Sequence, residues 1–259
     1  MGNEKAETYE PDSKRSEAQR EHRAELVRLF QDRPMADDEL LLNLGLFTRS
    51  SMVAKLLFLD EAYRLIKGIP GVIMEFGLWW GNNLVAFENL RAVHEPFNQT
   101  RRIIGFDTFT GYANISSEND IRSETIKEGA YSVSEGYKPY LDALMRFHEA
   151  ENVLGNLKRN ETVAGDVVAT VPQYFLDHPE TIVALACFDL ACYEPTKTCL
   201  SAIRPHLVPG SVIMFDELNN TKYPGETVAF KEFIGGIKYD IHRSTYFPDR
   251  TFVVLRDAP

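Results

Sequence analysis

The sequence predicts an α/β fold built on a mostly parallel, Rossmann-like seven-stranded sheet, with helices ahead of it and an antiparallel hairpin at its end. Three observations carry that prediction. From about residue 71 onward, short apolar runs alternate with stretches of helical period, the signature of strand-helix-strand units and a parallel sheet. Each run that reads as a parallel strand ends at a carboxylate: Glu75, Asp107, Asp166, Asp189 or Asp216. The last stretch changes pattern, because Asp240 to Tyr246 and Thr251 to Leu255, joined by Phe247-Pro248-Asp249-Arg250, read as a hairpin that finishes the sheet antiparallel.

Residues 1 to 15 carry charges of both signs and almost no apolar side chains, so they are expected as a disordered tail. Residues 16 to 70 are expected to be helical. Ser16 to about Phe30 has a helical period, and Ser50 or Ser51 is placed to cap a second helix through Ile66, with Met52, Leu56, Leu59 and Tyr63 on one stripe and Gly68 and Pro70 as its stop. Val72-Ile73-Met74 then forms a buried strand up to Glu75, and Gly77 and Gly81 turn the chain into a helix from Asn83 to Val93. Ile103 to Phe106 is the second strand, and Thr162 to Ala164 the third, followed by Gly165-Asp166 and a helix from Val168 to Leu176. Ile182 to Phe188 is the fourth. Pro195 suits the first turn of the next helix, which runs to about His206, and Pro209-Gly210 stops it before the fifth strand, Ser211 to Phe215. Residues 111 to 160 interrupt the alternation with a helix around Pro139 to Glu151, a candidate lid on a domain spanning residues 71 to 259.

Composition narrows the partners. The chain has 259 residues, 44% hydrophobic and 25% charged, enough for a full core. With 28 Lys and Arg against 38 Asp and Glu the net charge is −10, which repels a phosphate backbone and argues against nucleic acid. No apolar run of about 18 residues occurs, and the N-terminus lacks the apolar core of a secretory signal. A cytoplasmic protein without membrane association is expected. Cys187, Cys192 and Cys199 match no zinc or Cys-x-x-Cys spacing and are expected as reduced packing residues.

Ligands of open α/β sheets bind beyond the carboxyl ends of the strands, so Glu75, Asp107, Asp166, Asp189, Asp216 and Glu217 are expected along one rim. Two carboxylates about 4 Å apart repel by roughly 4 kcal/mol at an effective dielectric near 20. Such a rim holds cations or retains protons. The first turn, Glu75-Phe76-Gly77-Leu78-Trp79-Trp80-Gly81, has neither the Gly-x-Gly-x-x-Gly order of a dinucleotide turn nor the Lys-Ser/Thr of a phosphate loop. With Asp107 placed to accept both hydroxyls of a ribose, the pattern favours a nucleoside without phosphates that carries positive charge.

Ile104-Gly-Phe-Asp-Thr-Phe-Thr-Gly111, Phe188-Asp-Leu-Ala-Cys-Tyr-Glu-Pro-Thr196 and Pro209-Gly-Ser-Val-Ile-Met-Phe-Asp-Glu217 resemble the macrocin O-methyltransferase (TylF/MycF) family of antibiotic-sugar methyltransferases, which belong to the class I methyltransferases. The resemblance covers about residues 45 to 235. It implies S-adenosylmethionine as cofactor, with Glu75, Gly77 and Gly81 around its methionine part and Asp107 on its ribose. Asp166 would accept from the adenine amino group, and Trp79, Asn82, Thr108, Phe109 and Asp189 would border the rest. It implies a divalent metal, magnesium, on Asp189, Asp216 and Glu217, a homo-oligomer, and a deoxysugar acceptor, TDP-rhamnose at its 3′-hydroxyl or a related sugar. Two departures stand out: the family's Asp-x-Asp-x-Tyr is Asp189-Leu-Ala191-Cys-Tyr193 here, and its Asp-Asp is Asp216-Glu217, so one acid is missing and one ligand arm is longer.

A sugar hydroxyl must lie in line with the sulfonium carbon and lose its proton. Asp189 is the expected base and His148, in the insertion, the alternative. Trp79 and Trp80 are adjacent, so one of them is expected to face away from the site. Two other classes compete. A nicotinamide-dependent sugar oxidoreductase should show a tighter glycine fingerprint and a Tyr-x-x-x-Lys pair on a helix, and neither is expected in this sequence. A non-catalytic nucleoside-binding module needs no acids on the fourth and fifth strands.

Overall fold

The computed structural model describes residues 16–116, 118–123 and 125–259; the tail expected over residues 1 to 15 lies outside them. Strands β1 (Val72–Phe76), β2 (Ile103–Asp107), β3 (Asn160–Ala164), β4 (Val183–Phe188), β5 (Leu207–Phe215), β6 (Tyr239–Arg243) and β7 (Thr251–Leu255) form one sheet in the order β3-β2-β1-β4-β5-β7-β6. The first five run parallel, and β7 pairs antiparallel with both β5 and β6. This is the predicted α/β class, with the expected hairpin at its end.

The pleat sorts the core into two layers. Ile73, Ile103, Leu185, Cys187, Val212 and Met214 face helices α3 (Ser50–Ile66), α4 (Asn82–His94) and α5 (Tyr137–Glu151). Met74, Phe76, Ile104, Phe106, Ile213 and Phe215 face the opposite layer, made by α6 (Val167–Asp177), α7 (Tyr193–Ile203) and α8 (Pro224–Phe233). Phe106, Phe76, Phe188 and Phe215 are register partners across β2, β1, β4 and β5, with ring centroids 5.5, 4.9 and 5.2 Å apart. Each of these fully buried rings contributes about 1.5–3 kcal/mol. The ladder also fixes where the acids emerge, because Asp107, Asp189 and Asp216 each follow one of its rings in sequence.

Several boundaries differ from expectation. The N-cap of α3 is Arg49, without a side-chain cap bond, and Ser50 already lies in the helix. Its buried stripe is Phe58, Leu59, Ala62, Tyr63 and Ile66, while Met52 and Leu56 remain exposed. Pro209-Gly210 lies inside β5, where the register with β4 shifts and the extra residues bulge. The hairpin connection is longer than expected: β6 ends at Arg243, Ser244 N–H still donates to the Arg250 carbonyl at 3.0 Å, and the Ser244 side chain and Thr245 bind Glu61 on α3. Helices α2 (Asp37–Leu42) and α8 had not been anticipated. Ahead of α3, α1 (Glu17–Gln31) buries no residue and leaves Val27 and Leu29 exposed, as α2 does Leu41 and Leu42. Cys187, Cys192 and Cys199 are free and buried, as the sequence predicts. Among the described residues no helix is long and apolar enough to cross a membrane.

Candidate active site

The ladder of the sheet continues one residue past the strands. Gly77 N–H donates to Phe106 O at 3.0 Å, Asp189 N–H to Phe76 O at 3.0 Å and Asp216 N–H to Phe188 O at 3.2 Å, which sets the strand ends in one row. Beyond this row opens a cavity of about 320 Å³. Asp107, Asp166, Asp189, Asp216 and Glu217 line it, together with Gly77, Thr108 and the aromatic rings of Trp79, Phe106, Tyr112, Tyr131 and Tyr223. Glu75 opens instead into a smaller adjoining chamber that shares Asp189 and Asp216. All six acids of the predicted rim therefore line one or both of two cavities that share Asp189 and Asp216.

Backbone geometry explains the glycines. Gly77 has φ +86, and a Cβ there would sit 2.1 Å from the Asp189 carbonyl oxygen. Gly81 caps α4 at φ +73, where a Cβ would meet Leu141 at 2.5 Å; it shapes the turn without lining the cavity. Only glycine combines that conformation with that approach.

Glu75 is 1% exposed. Its Oε1 accepts from Asn83 Nδ2 at 2.9 Å, while Glu75 Oε2 and Asn83 Oδ1 are buried without a partner. Burial pushes the carboxyl up to about 8, with Lys55 and Asn83 opposing and Asp189 and Asp107 reinforcing the shift. Two orphaned acceptors need a donor, so the residues present fit a cofactor that carries an ammonium group. Asn83, not Asn82, holds this position; Asn82 is exposed at the start of α4 and lines neither cavity.

Asp107 faces the cavity but is heavily engaged. Its Oδ2 accepts from Leu78 N–H at 2.6 Å and Trp79 N–H at 2.9 Å, and its Oδ1 from Phe109 N–H at 2.5 Å. A carboxylate has about four lone-pair directions, so one remains for a ribose hydroxyl where two had been expected. Thr108 donates to the Gly111 carbonyl at 2.7 Å, and Phe109 packs against the α3–α4 layer. Asp166 caps α6, accepting from Val168 N–H at 2.9 Å, and its second oxygen accepts from Asn114 Nδ2. Asn114, Tyr112 and Tyr131 belong to the long connection after β2, which thus forms a wall of the site, while α5 occupies the ordinary crossover position between β2 and β3. Trp79 lines the cavity and Trp80 packs on Tyr137, the division expected of adjacent residues.

Three expectations meet a different arrangement. The set Asp189, Asp216 and Glu217 does not present itself to a metal: the Asp216 carboxylate pairs with Arg250, and the Glu217 carboxylate accepts from Asn220. Burial holds Glu217 up to about 7, with Asn220 opposing and Asp189 reinforcing the shift. Among the described residues no three His, Cys, Asp or Glu side chains converge as metal ligands. The donor set therefore does not fit magnesium as it stands, because two of its three members, Asp216 and Glu217, are already committed. His148 faces α4, its Nδ1 3.3 Å from Asn89 Nδ2, outside both cavities. Tyr193-Glu-Pro-Thr-Lys197 does satisfy the Tyr-x-x-x-Lys spacing on α7, with Lys197 Nζ 2.7 Å from the Tyr193 hydroxyl, but this pair binds Glu232 and lines neither cavity. The oxidoreductase pattern is thus present in spacing and misplaced in space. Lys55, Asn83 and Arg250 are site residues that the sequence alone did not single out.

The chain is 37% identical to CalS11, the calicheamicin methyltransferase, whose crystal structure matches it with a TM-score of 0.87 over 96% of this chain and 99% of that one. An apo structure of the same protein, a TDP-rhamnose 3′-O-methyltransferase in calicheamicin biosynthesis, matches at 38% identity and a TM-score of 0.81, covering 93% of this chain and 96% of that one. The 8-demethyl-8-(2,3-dimethoxy-alpha-L-rhamnosyl)-tetracenomycin-C 4′-O-methyltransferase of Streptomyces olivaceus is 26% identical over 165 residues. That match takes in 59% of this chain and 55% of the relative, so the chain spans about half the length of this curated protein. No protein-family model matches the chain.

Proposed function

The chain belongs to the O-methyltransferase family of the calicheamicin methyltransferase, and from that premise we propose that it transfers a methyl group from S-adenosylmethionine to a deoxysugar hydroxyl in antibiotic biosynthesis, with the 3′-hydroxyl of TDP-rhamnose or of a related sugar as acceptor. The supporting observation is a cavity edged by the acids that end β2, β4 and β5, beside the orphaned acceptor of Glu75. Such a site suits a nucleoside that carries two positive charges and no phosphate.

When bound, S-adenosylmethionine supplies a methyl carbon activated by its sulfonium. The chain's own groups do the rest. Asp189 borders both cavities and is held by its backbone bond to Phe76, which supports a place for its carboxylate between a cofactor's methionine end and the acceptor. There it takes the proton of the acceptor hydroxyl as that oxygen receives the methyl group. The single free direction on Asp107 holds one ribose hydroxyl, and Asp166 borders the adenine end. Trp79 and Tyr131, in edge contact with ring centroids 5.9 Å apart, form part of the cavity wall. No step passes through a metal ion, since Asp216 and Glu217 are bound to Arg250 and Asn220. The exposed apolar side chains of α1 and α2 support a homo-oligomer, and the proposed setting is the cytoplasm.

Radiolabelled S-adenosylmethionine with a panel of TDP-deoxysugars tests the activity. Thermal stabilisation by S-adenosylhomocysteine but not by NAD(P) is expected, and the reverse would remove the reading. Asp189→Asn should abolish transfer while leaving S-adenosylhomocysteine affinity nearly unchanged; full turnover in this variant would remove the assigned base.

A further inference from the structure

The two cavities meet at Lys55, Asp189, Asp216 and Arg250, which line both. The sheet register brings two of these together. Thr251 of β7 pairs with Phe215 of β5 in antiparallel register, so the residues just outside that pair, Arg250 and Asp216, face each other across the strand ends. Arg250 Nε lies on the Asp216 carboxylate, Nη1 donates to the Asp216 carbonyl at 3.0 Å, and the Phe247 ring centroid stands 5.1 Å from the guanidinium. A guanidinium has five N–H donors. Among the described residues these contacts engage two of them, on a side chain that borders both cavities. Burial disfavours its charge, and the nearby Asp189 carboxylate favours it. A held cation beside a carboxylate is the arrangement that polarises a hydroxyl and receives its proton.

We propose that Arg250 is a catalytic residue of the transfer: its unengaged N–H groups donate to the acceptor oxygen and stabilise the negative charge that develops there as Asp189 takes the proton. The inference rests on the methyl-transfer reading above. It gives to a side chain of this chain the electrostatic work that the family resemblance assigns to a divalent ion, at a place where that ion's carboxylates are already bound to other groups. The step balances without a second cation. The O–H bond breaks and its proton goes to Asp189; the oxygen's electron pair forms the new O–C bond; the C–S bond breaks and leaves its pair on sulfur, so a sulfonium becomes a neutral thioether. Arginine suits the task because it keeps its charge and its planar fork is held by Asp216, so its donors need no rearrangement as the charge develops.

The test follows methyl transfer from S-adenosylmethionine to TDP-rhamnose in EDTA and in added Mg²⁺. Wild-type rates should be the same in both, and a wild type that EDTA stops and Mg²⁺ restores overturns the proposal without any variant. In EDTA, Arg250→Gln should lower kcat by about a hundredfold to a thousandfold, the usual effect of removing one preorganised donor. The KM for TDP-rhamnose and the calorimetric affinity for S-adenosylhomocysteine should stay nearly unchanged, and Arg250→Lys should keep more of the rate. A loss confined to KM, or shared with S-adenosylhomocysteine affinity, overturns the assignment, because it marks a side chain that binds or supports without acting on the reacting oxygen. Absence of transfer by the wild type in both conditions removes the methyl-transfer reading itself, a different result from transfer that requires Mg²⁺.

Discussion

Arg250 and Asp216 form a closed pair at the end of β5: the guanidinium lies on the carboxylate, and its Nη1 also donates to the Asp216 carbonyl at 3.0 Å. The same guanidinium stands 5.1 Å from the Phe247 ring centroid, which holds it in place. Burial disfavours its charge, and the Asp189 carboxylate favours it. A fixed cation therefore sits in the row of acids where the family resemblance implies a divalent ion, and charge-assisted pairing uses the oxygens such an ion would need. Arg250→Gln should raise the affinity of the rim for Mn²⁺ by on the order of tenfold, about 1.4 kcal/mol. The signal of free Mn²⁺ in paramagnetic resonance reads this directly, and equal affinity in both proteins would show that Arg250 does not compete for Asp216.

Glu75 makes stability and binding depend on pH in opposite ways. Its carboxyl titrates near 4.5 in an ordinary setting and is held up to about 8 in the fold, chiefly by burial. Between those values the folded protein keeps a proton that the unfolded chain has lost. The stabilisation is complete below the window and is lost as pH rises through about 8. Denaturant unfolding should show wild-type stability falling across this range relative to Glu75→Gln, in which the slope disappears. A cationic ligand favours the ionised carboxylate, so binding of S-adenosylhomocysteine near neutral pH should release a proton. Calorimetric enthalpies that do not vary with the ionisation enthalpy of the buffer would contradict this.

The rim was legible in the sequence because two local signals coincide. Apolar runs mark the strands, and the parallel register aligns their ends, so Asp107, Asp189 and Asp216 follow Phe106, Phe188 and Phe215 into one row. Phase and distance were harder to read. Asn82 and Asn83 differ by one residue, and only the start of α4 at Gly81 decides which of them meets Glu75. Lys55 comes from a helix whose crossing over the sheet no local pattern encodes. Arg250 arrives on a connection lengthened by the bonds of Ser244 and Thr245 to Glu61, a contact more than 180 residues apart in sequence. Helix α8 is a different case, since Pro224 in its first turn and the spacing of Phe230 and Phe233 were a readable signal.

At the opposite end of the sheet, Arg101 fastens α3 to the domain. It is 1% exposed, and its guanidinium donates to Glu95 Oε2 at 2.8 Å, to the Gly71 carbonyl at 2.6 Å, and to the carbonyls of Ile66 and Ile69 at 2.9 and 2.8 Å. Those carbonyls are the end of α3 and the turn into β1, so one planar fork closes both the last turn of the helix and the entry to the strand. Glu95 in turn accepts from the Tyr63 hydroxyl of α3 at 2.7 Å. Removing one partner from a buried pair costs about 3–5 kcal/mol, because the other charge is left uncompensated. Arg101→Met should therefore lower the unfolding free energy by about that amount, and Arg101→Lys by less, since it keeps the charge without the fork. Equilibrium unfolding in urea measures this, and a loss below about 1 kcal/mol would place the network among ordinary surface pairs. The variant should also loosen α3 as a whole, and since Lys55 and Phe58 of that helix border the smaller chamber, S-adenosylhomocysteine should lose affinity along with stability.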